Sequence, residues 1–200
     1  MRLLAITLWL FASVAQAEAP TLASVLAEFA KVEALSAKFH EEKTMSLLAT
    51  PIKLDGTMHY QKPRKLVRHA NKASMLLDGN KLSFGDAKSS QSMDIASQPA
   101  LRVLVDTYVS VLGGDLAALQ RVATVTLEAQ GAGYRIHVTP KDDKVKRLVK
   151  EMSFDGVGAK LTRMELLDAN GDTTVTTFSA LTLRKPFSAA EQKQLFRIGG

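Results

Sequence analysis

Residues 52–84, IKLDGTMHYQKPRKLVRHANKASMLLDGNKLSF, decide the fold. Ile52, Leu54, Gly56, Met58 and Tyr60 alternate with Lys53, Asp55, Thr57, His59 and Gln61. A period of two belongs to a strand with one greasy face and one wet face. Lys62-Pro63-Arg64 interrupts it, because Pro63 has no N–H to give a ladder and pushes Lys62 toward extended conformations. Residues 66–70 make a second run and 75–77 a third, and Asp78-Gly79 is a tight hairpin signal ahead of Leu82 and Phe84. The stretch predicts a meander of short antiparallel strands. It is a wall, with no catalytic motif in it.

Upstream, Leu22, Val25, Leu26, Phe29 and Val32 share one stripe, which predicts a helix over residues 21–35. Residues 36–48 then alternate through Ala37, Phe39, Glu41, Lys43, Met45 and Leu47, which predicts a strand feeding the wall. Downstream, residues 85–93 are polar and Ser-rich, a loop or an edge strand. Ser97 as a cap and Pro99 in the first turn predict a helix ending at Gly113-Gly114. Its apolar positions Leu101, Leu104, Val105, Tyr108 and Leu112 are widened by Val103, Val109 and Val111. A helix apolar nearly all round is buried or covers something greasy.

Asp115 is placed to cap a further turn at residues 116–120. Strands resume at Val122, with turns at Gly131-Ala132-Gly133, Asp155-Gly156 and Asn170-Gly171 and a charged loop at residues 140–143. Ser188 and Glu191 fit a capping box for a closing helix that ends near Phe196. The fold class is α+β, mainly β. We expect one strongly curved antiparallel sheet of about nine to eleven strands, its inner face covered by the two main helices.

Residues 1–17, MRLLAITLWLFASVAQA, carry Arg2, an apolar core and an Ala15-Gln16-Ala17 cleavage site. That is the pattern of a secretory signal peptide cut after Ala17, its apolar part too short for a comfortable membrane span. Residues 18–200 are then expected to form a single domain in an extracytoplasmic space. Cysteine is absent, so the core must hold the fold without disulfides, and the only tryptophan, Trp9, leaves with the leader. The formal charge is +6. Its basic clusters, residues 62–72 and 141–150, contain no Phe, Tyr or Trp, which argues against a nucleic-acid partner. They suit an anionic membrane surface or an acidic protein.

Known catalytic and metal patterns fail on inspection. His40-Glu41 opens like H-E-x-x-H, but Thr44 stands where the second ligand belongs. Asp168, Asn170 and Asp172 have calcium-loop spacing, but Thr173 and Ser179 occupy the glycine and glutamate positions. Gly156-Val157-Gly158 has no third glycine, and there is no G-x-S-x-G. His40, His59, His69 and His137 read as wet-face residues of strands. No catalysis, metal or cofactor is expected.

The methionines outside the leader, Met45, Met58, Met75, Met93, Met152 and Met164, all lie in or beside predicted strands. Methionine suits irregular, adaptable apolar surfaces. Several segments then occur in a telling order: Leu35-Ser36-Ala37-Lys38-Phe39-His40, Gly56, Lys62-Pro63, Leu77-Asp78-Gly79-Asn80-Lys81-Leu82, residues 134–140 and Phe154-Asp155-Gly156. In that order and spacing the sequence resembles the LolA family of periplasmic lipoprotein carriers.

The resemblance implies an incomplete barrel closed by an α-helical lid over an apolar cavity for acyl chains. It implies a monomer that takes an acylated lipoprotein or other lipid from an inner-membrane transporter to an outer-membrane acceptor. Candidate lining residues are Phe39, Met45, Met58, Tyr60, Leu66, Met75, Leu77 and Phe84 from the wall, and Leu101, Leu104, Val105, Tyr108 and Leu112 from the helix. Lys62 and Arg64 are the candidate lid contacts. Three features depart from the family pattern. The arginine before the proline is Lys62 here, the aromatic after it falls on Leu66, and a following tryptophan has no counterpart around Val67-Arg68. A binding module that senses lipid or a partner, regulating rather than transporting, is the alternative reading.

Overall fold

The computed structural model describes residues 19–199; the expected leader lies outside them. One antiparallel sheet of eleven strands dominates, in the order β6-β5-β4-β3-β2-β1-β11-β10-β9-β8-β7. The first meander comprises β1 (Ala34–Thr44), β2 (Ile52–Gln61), β3 (Lys65–Ala70), β4 (Ala73–Asp78), β5 (Lys81–Gly85) and β6 (Ser90–Asp94). The second comprises β7 (Ala123–Gln130), β8 (Gly133–Pro140), β9 (Val149–Val157), β10 (Lys160–Asp168) and β11 (Thr173–Arg184). They join where β1 lies along β11, from Ala34 opposite Arg184 to Thr44 opposite Thr173. The ends of that order, β6 and β7, do not pair, so the barrel stays open.

Three helices sit against the concave face: α1 (Leu22–Ala30), α2 (Pro99–Gly113) and α3 (Leu116–Val122). Their Leu26, Phe29, Leu112 and Leu119 share one core with Leu35, Tyr60, Ile136 and Phe154 of the sheet. The inward phase is the one that residues 52–61 announce, with Met58 and Tyr60 buried in the core. Gly114 ends α2 with φ of 71°. A β-carbon there would stand 2.3 Å from Leu26 O, so a side chain would push α2 off α1. Among the described residues no helix is long and apolar enough to cross a membrane.

Several boundaries differ from expectation, each for a local reason. The first helix stops at Ala30, because Ala34 and Leu35 already pair in the sheet with Gln61 and Tyr60. The strand expected over residues 36–48 is instead β1, ending at Thr44, where Ser46 N–H turns to Asp172. Ser97 does not cap α2; Gln98 occupies that position without a side-chain bond, and Ser97 Oγ donates to Asp94 O. Asp155-Gly156 is no turn. Asp155 accepts two bonds from Arg135, at 2.6 and 2.8 Å, inside β9, and the chain reverses at Gly158 instead. The charged loop after β8 contains α4 (Asp143–Lys146), capped by Asp142.

The closing helix α5 (Ala189–Leu195) has the expected Ser188/Glu191 capping box, but it packs on the convex face. It buries no residue of its own; Phe187 and Phe196 at its ends anchor it, 5.3 Å apart and edge-on. His59 stands edge-on to Phe187 and bonds Ser36 Oγ at 2.9 Å. His69 bonds Ser74 Oγ at 2.8 Å and Leu195 O at 2.9 Å. Arg184 lies over Phe187 and Lys65 over Phe196.

Burial holds the His59 imidazole below its ordinary pKa, helped by the charges of His69 and Arg184. The unfolded chain therefore binds more protons than the folded one once the pH falls to about 6.5 and below, and stability declines there. Thermal melts should show Tm falling between pH 7.5 and 5.5, with a flatter profile in His59→Asn. Phe196→Ala should cost about 3–5 kcal/mol in urea titrations if the fold is one cooperative unit.

Candidate functional site

Beneath α2 lies an apolar recess of about 180 Å³. Leu101, Leu104, Val105 and Tyr108 form its roof, and Leu66, Met75, Leu77, Leu82 and Met164 form its floor. The roof residues follow the helical spacing of the sequence, and the floor residues follow the inward phase of β3, β4, β5 and β10. A second recess, about 380 Å³, adjoins it toward the β1–β2 hairpin and includes Phe39, Leu54, Ala70 and Phe84. The two share Met75 and Arg68.

Tyr108 donates to Met58 Sδ at 3.0 Å, and burial pushes its phenol up to about 12. It therefore stays neutral at any physiological pH. Of the other candidate lining residues, Met58, Tyr60 and Leu112 are fully buried in the core and line neither recess. Met45 lies beyond the end of β1, in the turn, and lines neither recess. Strand alternation carried its assignment one residue too far.

Both helices are fastened at one turn, Lys62-Pro63-Arg64. Lys62 Nζ donates to Ala30 O at 2.6 Å and reaches Phe29 O at 3.4 Å. The ammonium thus sits at the negative end of α1. Burial holds its pKa below the ordinary lysine value, against the opposing charge of Glu33. Arg64 donates from Nε to Gly79 O at 2.8 Å, and its Nη2 lies 2.6 Å from Asp106 Oδ1 of α2. Both atoms of that ion pair are buried, and their contact is not aligned as a hydrogen bond. Asp106 Oδ2 also lies 3.4 Å from Arg102 Nε. An open cleft of mixed lining, about 790 Å³, borders this turn, between α2 and α3, with Tyr60, Val109 and Val122 among its residues. It is larger than the two apolar recesses, brings charged groups such as Arg64, Arg102, Asp106 and Arg121 to its rim, and shares no lining residue with the recess under α2.

The sequence matches the family described as "outer membrane lipoprotein carrier protein LolA-like" over residues 14–192. The chain belongs to this family. Among solved structures it is similar to a LolA superfamily protein from Nitrosomonas europaea, at 14% identity, covering 90% of this chain and 98% of that one, with a TM-score of 0.47. It is also similar to an outer membrane lipoprotein-sorting protein domain from Vibrio parahaemolyticus, at 7% identity, covering 86% and 95%, with a TM-score of 0.49. The Mycobacterium tuberculosis lipoprotein LppX is similar at 12% identity, covering 82% and 93%, with a TM-score of 0.42. No curated protein matches the sequence.

One feature of this LolA-like chain escaped the sequence reading. Arg68 Nη2 donates to Glu41 Oε2 at 2.6 Å, and Thr176 Oγ1 donates to the same oxygen at 3.0 Å. The guanidinium lies over the Phe39 ring, 4.3 Å from its centroid. Glu41 is on β1 and Arg68 on β3, with β2 between them. There β2 offers Gly56, opposite Phe39 on one side and Ala70 on the other. A β-carbon at Gly56 would stand 2.1 Å from His69 O and 2.6 Å from Phe39 Cζ. The missing side chain lets the ring cross the strand and Arg68 reach over it. The signal was present in the sequence: opposite charges in the inward phase of two runs, with a glycine between them.

Arg64→Met should remove the tie to α2 and speed hydrogen exchange of its amides. The expected loss in urea titrations is about 1–2 kcal/mol, since the pair is only partly desolvated. Lys62→Met should cost at most about 1 kcal/mol and loosen the last turn of α1.

Proposed function

We propose that this LolA-like protein is a carrier that holds acyl chains of a lipoprotein or related lipid in the recess under α2 and the one that adjoins it. The observation that carries this reading is the roof. Leu101, Leu104, Val105 and Tyr108 turn an apolar face onto an apolar wall and leave a hollow between them. One acyl chain of about 14 carbons resists crossing water by roughly 10 kcal/mol, at about 0.8 kcal/mol per CH₂. A carrier must offset most of that and still release its load.

The inner recess is smaller than the roughly 300–1,000 Å³ of small-molecule sites. A chain that fills the recess under α2 therefore requires α2 to lift as a lid. Arg64 and Asp106 set the resistance to that motion, and Lys62 keeps α1 in place while it happens. In this reading residues 1–17 are removed, residues 18–200 work as a monomeric domain in the periplasm, and the load passes from an inner-membrane transporter to an outer-membrane acceptor. None of these steps needs a cofactor or a bond-making step.

Protein purified from the periplasm without detergent should carry co-purifying lipid in native mass spectra, begin at Glu18 and lack tryptophan fluorescence. It should also bind a neutral hydrophobic fluorophore. Val105→Glu should abolish fluorophore binding while circular dichroism stays unchanged. Empty protein that ignores the fluorophore would overturn the carrier reading.

A further inference from the structure

Arg68 and Glu41 place a polar pair on a stretch of wall that is otherwise mainly apolar, where the two recesses meet. Arg68 gives Nη2 to Glu41 and its flat face to Phe39; among the described residues nothing accepts from its Nε or Nη1. Glu41 takes both its bonds, from Arg68 and Thr176, on Oε2, and among the described residues nothing donates to Oε1. The pair is thus balanced in charge and keeps spare guanidinium N–H donors on Arg68 and one unused acceptor oxygen on Glu41. Apolar space extends from it in two directions.

We propose that Arg68 and Glu41 bind the carbonyl linkage of an acylated cargo, an ester or an amide, and discriminate against a free fatty acid. The inference rests on the carrier reading and names the chemistry of its load. An uncharged carbonyl oxygen takes a spare guanidinium N–H without adding charge to a site whose two side chains are largely shielded, 22% and 14% exposed. An amide also offers an N–H to Glu41 Oε1. A free carboxylate is drawn to Arg68 but repelled by the Glu41 carboxylate beside it, so the pair returns little of what the carboxylate loses on leaving water. The carbonyl then fixes how deep the chain runs beneath Leu104 and Tyr108.

Displacement of bound N-phenyl-1-naphthylamine at pH 7.5 tests this with probes that share one tail: N-methylmyristamide, methyl myristate and myristate. The amide and ester should displace the dye at concentrations about tenfold lower than myristate, with the amide best. Glu41→Gln/Arg68→Met, which removes both charges, should still bind dye and lose the ranking. Should that variant fail to fold, Arg68→Lys makes the same comparison, retaining charge without the fork and narrowing the preference. Myristate displacing as well as the ester, or a ranking unchanged in the folded variants, overturns the inference while the carrier reading stands. Wild-type protein that binds no dye overturns the carrier reading instead.

Discussion

An open sheet of eleven strands cannot fill its own concave face. Strand twist curls a sheet this wide, and in a closed barrel of about eight strands the inward side chains meet across the axis. Here β6 and β7 never pair, so the hollow is too wide for that and stays open along one side. Three helices must enter it, and they differ in what they do there. The ends of α1 and α2 are locked together at Gly114, where no side chain fits. The middle of α2 meets the wall only through side chains and leaves a hollow beneath it. The helix over the recess is therefore held by surface contact, the bond from Tyr108 to Met58 Sδ and the Arg64–Asp106 ion pair, not by the sheet's hydrogen-bond ladder.

The division of labour at the Lys62-Pro63-Arg64 turn follows from what each cation faces. The departure from the family's arginine would weaken a bidentate pair with a carboxylate, since lysine has no planar fork. Lys62 does not face a carboxylate at its closest contact. It faces the carbonyls of Phe29 and Ala30 at a helix end, which a compact ammonium serves well. Arg64, with its fork, takes the carboxylate of Asp106 and the Gly79 carbonyl instead. The substitution is thus compatible with fastened helices, because the two cations that flank Pro63 each take the partner that suits their shape.

What the sequence made legible was local chemistry, and what it hid was long-range. The alternation in residues 52–61, the turns at Gly79 and Gly171 and the Ser188/Glu191 box are each written within a few residues, and each stands where expected. The apolar stripe of α1 runs on through Val32 because a buried residue of the connection looks the same as a buried helix residue there; only the pairing that starts at Ala34 and Leu35 separates them. Asp155-Gly156 reads as a turn until Arg135, 20 residues earlier, claims the carboxylate. The place of α5 on the convex face depends on Phe187 and Phe196 meeting His59, a contact across more than a hundred residues. Phase places most of the residues that line the two recesses, and Met45 falls outside both because a phase does not say where a strand stops.

Arg68 and Glu41 are the part of the site that stability alone does not explain. Strands β1 and β3 are already tied through β2 by two ladders, so the sheet needs no salt bridge across it. Desolvating such a pair costs several kcal/mol per ion on the order-of-magnitude scale, and well-packed apolar residues often serve a fold as well or better. Leucine or methionine at position 68 would continue the floor that Leu66 and Met75 begin. The pair instead stands where two apolar spaces meet, braced by Thr176 and stacked on Phe39, over a glycine that keeps the crossing clear. A wall that only had to be greasy would not need that bracing; a wall that also had to grip a carbonyl would.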